Sequence, residues 1–146
     1  MHAQETNNRD VTIGRPDHRP DRNIWPALAY DDARAAQAWL VALGFTAGLS
    51  IPGEAEGEIH HSEMLWPEGG RVMVSSRGTR AAASEPSRGG AVLYIVTRDP
   101  DAVYARALAL AAKVDHEICD QTDYVSREFS IRDPEGNGWT FGTYAG

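Results

Sequence analysis

Apolar and polar positions along the chain write one pattern twice. The first copy opens with the short apolar run Ile24 to Tyr30. Asp32 then stands where a helix N-cap belongs. Ala36, Trp39, Leu40 and Leu43 follow at spacings of three and four, which predicts an amphipathic helix over Ala33–Leu43 ended by Gly44. Strand-like segments come next at Phe45–Ile51, Glu58–Trp66 and Arg71–Ser76, separated by Pro52-Gly53 and by Pro67-Glu68-Gly69-Gly70. The predicted order is β-α-β-β-β.

The second copy starts with Ala91 to Thr97. Asp99 caps a helix carrying Val103, Ala107 and Leu110, with Pro100 in the favoured first helical position. Strands follow near Lys113–Ile118, Ser126–Ile131 and Gly138–Tyr144, the last pair joined by the turn Asp133-Pro134-Glu135-Gly136-Asn137. Asp32 to Leu43 and Asp99 to Leu110 are both steps of eleven positions, and the last hairpins also match, Gly69-Gly70-Arg71-Val72-Met73 against Gly136-Asn137-Gly138-Trp139-Thr140. Agreement of helix, turn and strand order indicates an internal repeat rather than chance similarity between two helices.

This periodicity divides the chain into an N-terminal extension (1–22), a first module (23–76), a linker (77–90) and a second module (91–146). The extension carries Pro16 and Pro20 with almost no periodic apolar pattern and is expected to be flexible, and residues 77–90, rich in Gly, Ser, Ala and Arg, read as a linker by composition. At 146 residues the chain is long enough to bury a core without staples. Its single cysteine, Cys119, cannot close an intramolecular disulfide and reads as an ordinary half-buried residue. No apolar stretch approaches the roughly 20 residues of a membrane span, and the N-terminus lacks the apolar centre of a signal peptide, so a cytoplasmic protein without a membrane partner is expected.

The extension balances four acids against four arginines, which leaves the whole net charge of −7 on residues 23–146. A body this acidic argues against nucleic acid as a partner and favours neutral or cationic ligands. Solubility alone also accounts for the charge.

The segments Pro26-Ala27-Leu28-Ala29-Tyr30-Asp31-Asp32-Ala33, Trp39-Leu40 leading to Leu43-Gly44-Phe45, and above all Tyr124 to Asn137 with its Arg132-Asp133-Pro134-Glu135-Gly136 turn give the chain a family likeness. Over residues 23–146 it resembles the vicinal-oxygen-chelate superfamily of glyoxalases, bleomycin-resistance proteins and extradiol dioxygenases. It departs at Val125, where many relatives have Gly. The resemblance implies an α+β fold of two tandem βαβββ modules whose mixed sheets curl into a cup with the helices outside.

In metal-binding members of that superfamily, ligands on the first and last strands of each module point into the cup and hold a divalent ion with open positions for substrate oxygens. Seven residues before the two cap aspartates stand Trp25 and Val92, and the last-strand positions are Met73 and Thr140. None is a usual ligand for Zn, Ni, Mn or Fe, and a shift of one residue in either direction supplies none. No metal and no other cofactor is therefore expected.

Alternation on the third strand puts His61 and Glu63 on one face, as hydrogen-bonding groups or an acid/base pair; the competing reading is a half-exposed cross-strand pair. Trp39 belongs to the core. Trp139 and Phe141 share a face opposite Thr140 and pack under the helix, with Tyr144 on the cup side. Trp25 and Tyr94 place π surfaces in the cup. Trp66, at a strand end, is either a rim residue or plain packing. The expected ligand-binding set is thus Trp25, His61, Glu63, Trp66, Met73, Val92, Tyr94, Thr140 and Tyr144.

Together these expectations describe a metal-independent protein that binds an aromatic or cationic small molecule, such as an antibiotic-sequestering self-resistance factor, and the resemblance implies a homodimer. The alternative is a metal-dependent or acid/base lyase, isomerase or dioxygenase of the same superfamily, with His61 and Glu63 as its catalytic groups. A purely structural or regulatory role has no positive sequence feature.

Overall fold

The computed structural model describes residues 24–79 and 89–146, so the N-terminal extension and most of the linker lie outside the described residues. The chain folds as β1 (Ala27–Tyr30), α1 (Ala33–Leu43), β2 (Thr46–Pro52), β3 (Ile59–Leu65) and β4 (Arg71–Ser76), then β5 (Val92–Val96), α2 (Pro100–Ala109), β6 (Lys113–Asp120), β7 (Arg127–Arg132) and β8 (Gly138–Gly142). Each half is a four-stranded mixed sheet, ordered β1-β4-β3-β2 and β5-β8-β7-β6, with the first strand parallel to the last and the other pairs antiparallel. The α+β architecture of two βαβββ modules is the one expected.

Local chemistry starts and stops the helices. Asp32 and Asp99 both accept a hydrogen bond from the backbone N–H three residues on, at 3.0 and 3.1 Å, and Pro100 opens α2. Gly44, at φ +127°, ends α1 in a conformation that side chains resist. The second helix stops without a glycine: Leu110 caps it rather than extending it, and Ala111 takes the left-handed turn at φ +54°. The first strand is shorter than its apolar run suggested. Pro26 has no N–H to give to a ladder, although its carbonyl still accepts from Met73.

One core serves both modules. Leu28, Trp39, Leu40, Phe45, Met64 and Val74 of the first pack with Val103, Phe129, Ile131, Trp139 and Phe141 of the second. The seam is aromatic: Trp139 lies 6.3 Å from Trp39 and 5.9 Å from Phe45, and Trp66 lies 5.6 Å from Phe141, ring centre to ring centre. The helices line this shared interior on the convex side of each sheet. The two sheets do not merge into one cup within the chain.

The repeated Pro-Glu-Gly turns fasten the halves to each other. Glu135 accepts from the backbone N–H groups of Asp31 and Asp32, both at 2.8 Å, so the second module's hairpin holds the N-terminus of α1. Glu68 does the same in reverse, accepting from Arg98 N–H at 2.9 Å and from the Thr97 hydroxyl at 2.7 Å beside the start of α2. Each carboxylate thus satisfies donors next to a helix N-terminus, where the dipole also favours negative charge. Between the latches the Asp133 side chain gathers Tyr30, Asn137 and Trp139 in a buried network. No helix among the described residues is long and apolar enough to cross a membrane.

Candidate ligand-binding site

Strand register decides which side chains face away from the shared core. In the first module Ala27, Met73 and Glu63 lie side by side, Arg71 pairs with Leu65, and His61 with Ile51, all opposite the face that buries Val72, Val74 and Met64. In the second module the rows are Val92, Gly138 and Arg132; Tyr94, Thr140, Ser130 and His116; and Val96, Gly142, Glu128 and Cys119. Their opposite face buries Phe129, Ile131, Trp139 and Phe141 completely. These faces carry apolar side chains that solvent reaches, Leu49 and Ile51 on the edge strand of the first module and Val96 and Val92 in the second, the last 75% exposed, whereas Ala29, Ser75 and Glu63 of the first are buried.

Most of the sequence-derived set falls on these faces. Glu63 is 7% exposed and fully engaged: one oxygen meets His61 Nε2 at 3.1 Å and the other accepts from the Arg71 guanidinium at 2.6 Å. His61 and Glu63 are therefore brought together. Arg71, absent from the sequence-derived set, is their third member, and its guanidinium sits 4.6 Å from the centre of the Trp25 ring. Trp25 is accordingly held against Arg71 by a cation–π contact, two residues before Ala27, which pairs with Met73. Val92 and Tyr94 flank the last strand of the second module, and Thr140 shares a 2.7 Å hydrogen bond with Ser130.

Two expectations are corrected. Trp66 is buried at 7% exposure, its ring 4.8 Å from Phe45 and its indole N–H donating to the Val96 carbonyl, so it is core packing and not a ligand contact. It follows the even-numbered, convex side of β3 past the end of the strand. Cys119 is exposed rather than half-buried, because β6 is an edge strand and the thiol lies on its open concave side next to Glu128.

A second polar group escaped the sequence reading. The Glu128 carboxylate accepts from the Tyr124 hydroxyl and from the Ser126 hydroxyl, each at 2.7 Å. Tyr124 packs edge-on against Tyr144 at 5.4 Å. Donation to Glu128, with some desolvation and the carboxylate's charge, pushes the Tyr124 hydroxyl up to about 12. The neighbouring Arg127 offers Glu128 no charge, because it points to the helix side and bridges Asp101 and Asp120.

The four positions that the resemblance assigns to metal ligands hold an indole, a thioether, an isopropyl group and a hydroxyl already bonded to Ser130, and the register sets Met73 beside Ala27 and Thr140 beside Tyr94. This donor set does not fit a divalent ion. Among the described residues no group of three or more His, Cys, Asp or Glu side chains is gathered in a metal-binding arrangement.

Residues 24–141 match the profile of the Glyoxalase/Bleomycin resistance protein/Dioxygenase superfamily. The chain belongs to this superfamily. A comparison with curated proteins gives no significant match. Among solved structures, TioX from Micromonospora sp. ML1 is similar at 29% identity and a TM-score of 0.70, over 84% of this chain and 98% of that one. A lactoylglutathione lyase from Agrobacterium tumefaciens aligns at 23% identity and TM-score 0.61, over 84% and 93%. The fosfomycin resistance protein FosX from Listeria monocytogenes, a mutant form complexed with Mn(II) and a dihydroxypropylphosphonic acid, aligns at 12% identity and TM-score 0.60, over 83% and 88%. The last two share the fold; their activities do not carry over.

Proposed function

We propose that this superfamily member is a metal-independent small-molecule-binding protein, in the manner of an antibiotic-sequestering self-resistance factor, that takes a flat aromatic or cationic ligand between two copies of the chain. One observation carries this reading: the faces turned away from the shared core carry exposed apolar side chains, and the positions that the family resemblance assigns to metal ligands, Trp25, Met73, Val92 and Thr140, offer neither His nor carboxylate. Exposed apolar surface of this kind on a single chain marks an interface or a binding groove. A second copy that set its opposite module over each face would cover the edge strands and close the cup.

Aromatic surface supplies the affinity. Each ring buried against a planar ligand contributes on the order of 1–3 kcal/mol through burial and stacking geometry. Arg71, held by Glu63 and lying over the Trp25 ring, supports a role for that indole at the site. The acid/base alternative draws on the 3.1 Å contact of His61 with Glu63, a histidine oriented by a carboxylate at the cup surface.

Metal-stripped protein screened by tryptophan fluorescence quenching tests the reading. Planar or cationic compounds are expected to bind wild type, and Trp25→Ala is expected to weaken them while its melting temperature stays near wild type. Binding that appears only after a divalent ion is added contradicts metal independence. Loss of turnover in His61→Ala with binding intact, on any compound the protein transforms, would favour the acid/base alternative.

A further inference from the structure

We propose that Glu128, Tyr94, Tyr124 and Tyr144 form a subsite for an organic cation on the concave face of the second module. The proposal deepens the ligand-binding reading above and rests on it.

Glu128 has partners but no counter-charge. Both oxygens accept from hydroxyls, Tyr124 and Ser126, and no Arg, Lys or His among the described residues forms an ion pair with it. Its counterpart carboxylate in the first module, Glu63, has Arg71 at 2.6 Å and His61 at 3.1 Å. A half-buried carboxylate with lone pairs to spare favours a cation brought by a ligand.

The surroundings suit an organic cation better than a hydrated metal ion. Tyr94, Tyr124 and Tyr144 are 42%, 42% and 47% exposed, Tyr124 and Tyr144 packing edge to face, and tyrosine faces attract alkylated ammonium groups. Gly142, opposite Glu128 on β8, lets the Tyr94 hydroxyl and the Glu128 side chain close over its α-carbon. A Cβ built there lies 2.5 Å from the Tyr94 hydroxyl and 3.0 Å from a Glu128 oxygen, closer than side chains tolerate. The two polar ends therefore converge over a position where only hydrogen fits. A single carboxylate with hydroxyl neighbours lacks the ligand count for a divalent ion.

The test is an NMR titration of the isotope-labelled full chain with benzyltrimethylammonium, benzylamine at neutral pH, and neutral benzyl alcohol, following the backbone amides of Glu128, Gly142 and Tyr144. Saturable shifts are expected with the cations, and at least tenfold weaker binding of benzyl alcohol. Glu128→Gln, which removes the charge, keeps one acceptor oxygen and turns the other into an N–H donor from which either hydroxyl oxygen can accept, is expected to weaken the cations tenfold or more while changing benzyl alcohol less than twofold. Gly142→Ala, which crowds Tyr94 and Glu128, is expected to do the same. Stronger binding of benzyltrimethylammonium than benzylamine identifies the rings as the main attraction, and the reverse order identifies the carboxylate.

Equal binding of cation and alcohol overturns the proposal, as does a folded Glu128→Gln protein that binds cations like wild type. Indole serves as an independent arm: if it shifts concave-face amides while the cations do not, the cation subsite is wrong and the broader reading stands. If the cations bind in a Glu128-dependent way while indole and Trp25 play no part, the subsite stands and the stacking role of Trp25 falls.

Discussion

The convex sides of the two modules are nearly copies of each other, whereas their concave sides have diverged. Toward the shared core each module presents a capped helix, a buried β3 or β7, and a Pro-Glu-Gly turn whose glutamate grips the other module's helix start. On the open side the first module has a closed ionic cluster, Arg71, Glu63 and His61, beside one indole. The second has a carboxylate among tyrosines and hydroxyls. Packing demands the same shapes twice because the core is common to both halves. Nothing in folding demands the same chemistry on the two outer faces, so difference there is where binding can be specified.

The sharpest way to break this contrast is to truncate one tryptophan from each side. Trp139→Ala removes a fully buried ring at the inter-module seam and is expected to cost about 3–5 kcal/mol. Trp25→Ala removes the ring that lies against Arg71 and is expected to cost about 1 kcal/mol or less. Chemical denaturation measures both. Equal costs would mean that Trp25 belongs to the core and that the register given to the start of the chain is wrong.

The latches sharpen the claim that the convex sides are equivalent. Glu135→Ala and Glu68→Ala are each expected to cost roughly 1–2 kcal/mol, since a carboxylate that satisfies two donors is lost in each case. Hydrogen exchange should locate the effect: Asp31 and Asp32 amides speed up in the first variant, and the Arg98 amide in the second. A global, unlocalised change would contradict the latch assignment.

Much of this division was legible in the amino-acid order. The caps Asp32 and Asp99, the helix faces and the hairpin turns follow from local rules, and the repeat let each module support the other. Glu68 and Glu135 were visible only as turn residues, because their partners lie some 30 and 104 positions away. Trp66 was ambiguous because a strand's alternation does not say where the strand stops. Glu128 and Tyr124 were missed because the segment from Gln121 to Ser126 has no periodicity, and only the fold brings its tyrosine back onto β7. Arg71 lay beside a residue already singled out, and two-residue alternation from Met73 would have found it.

Smaller effects separate the two outer faces. The Tyr124 hydroxyl is raised from its ordinary 10.0 to about 12, chiefly by its hydrogen bond to Glu128. A raised value means that the fold favours the protonated form. Its contribution to stability is complete below pH 10 and is lost as pH rises through about 12. Absorbance titration of the tyrosinate band should show Tyr124 ionising late in wild type and earlier in Glu128→Gln. Tyr30, raised further by burial and by the Asp133 charge beside it, should ionise last in both. An unchanged titration in Glu128→Gln would deny the contact. The smallest expected effect is that of metals: Zn, Ni, Mn or Fe should shift the melting temperature by about 1 °C or less, whereas a tightly bound ion would add several degrees by mass action.

Light scattering on metal-stripped full-length protein at micromolar concentration tests most directly whether these two unlike faces meet. The predicted result is twice the mass of one chain, unchanged when a chelator is present. A monomer under those conditions, or a dimer that forms only after a divalent ion is restored, would contradict it.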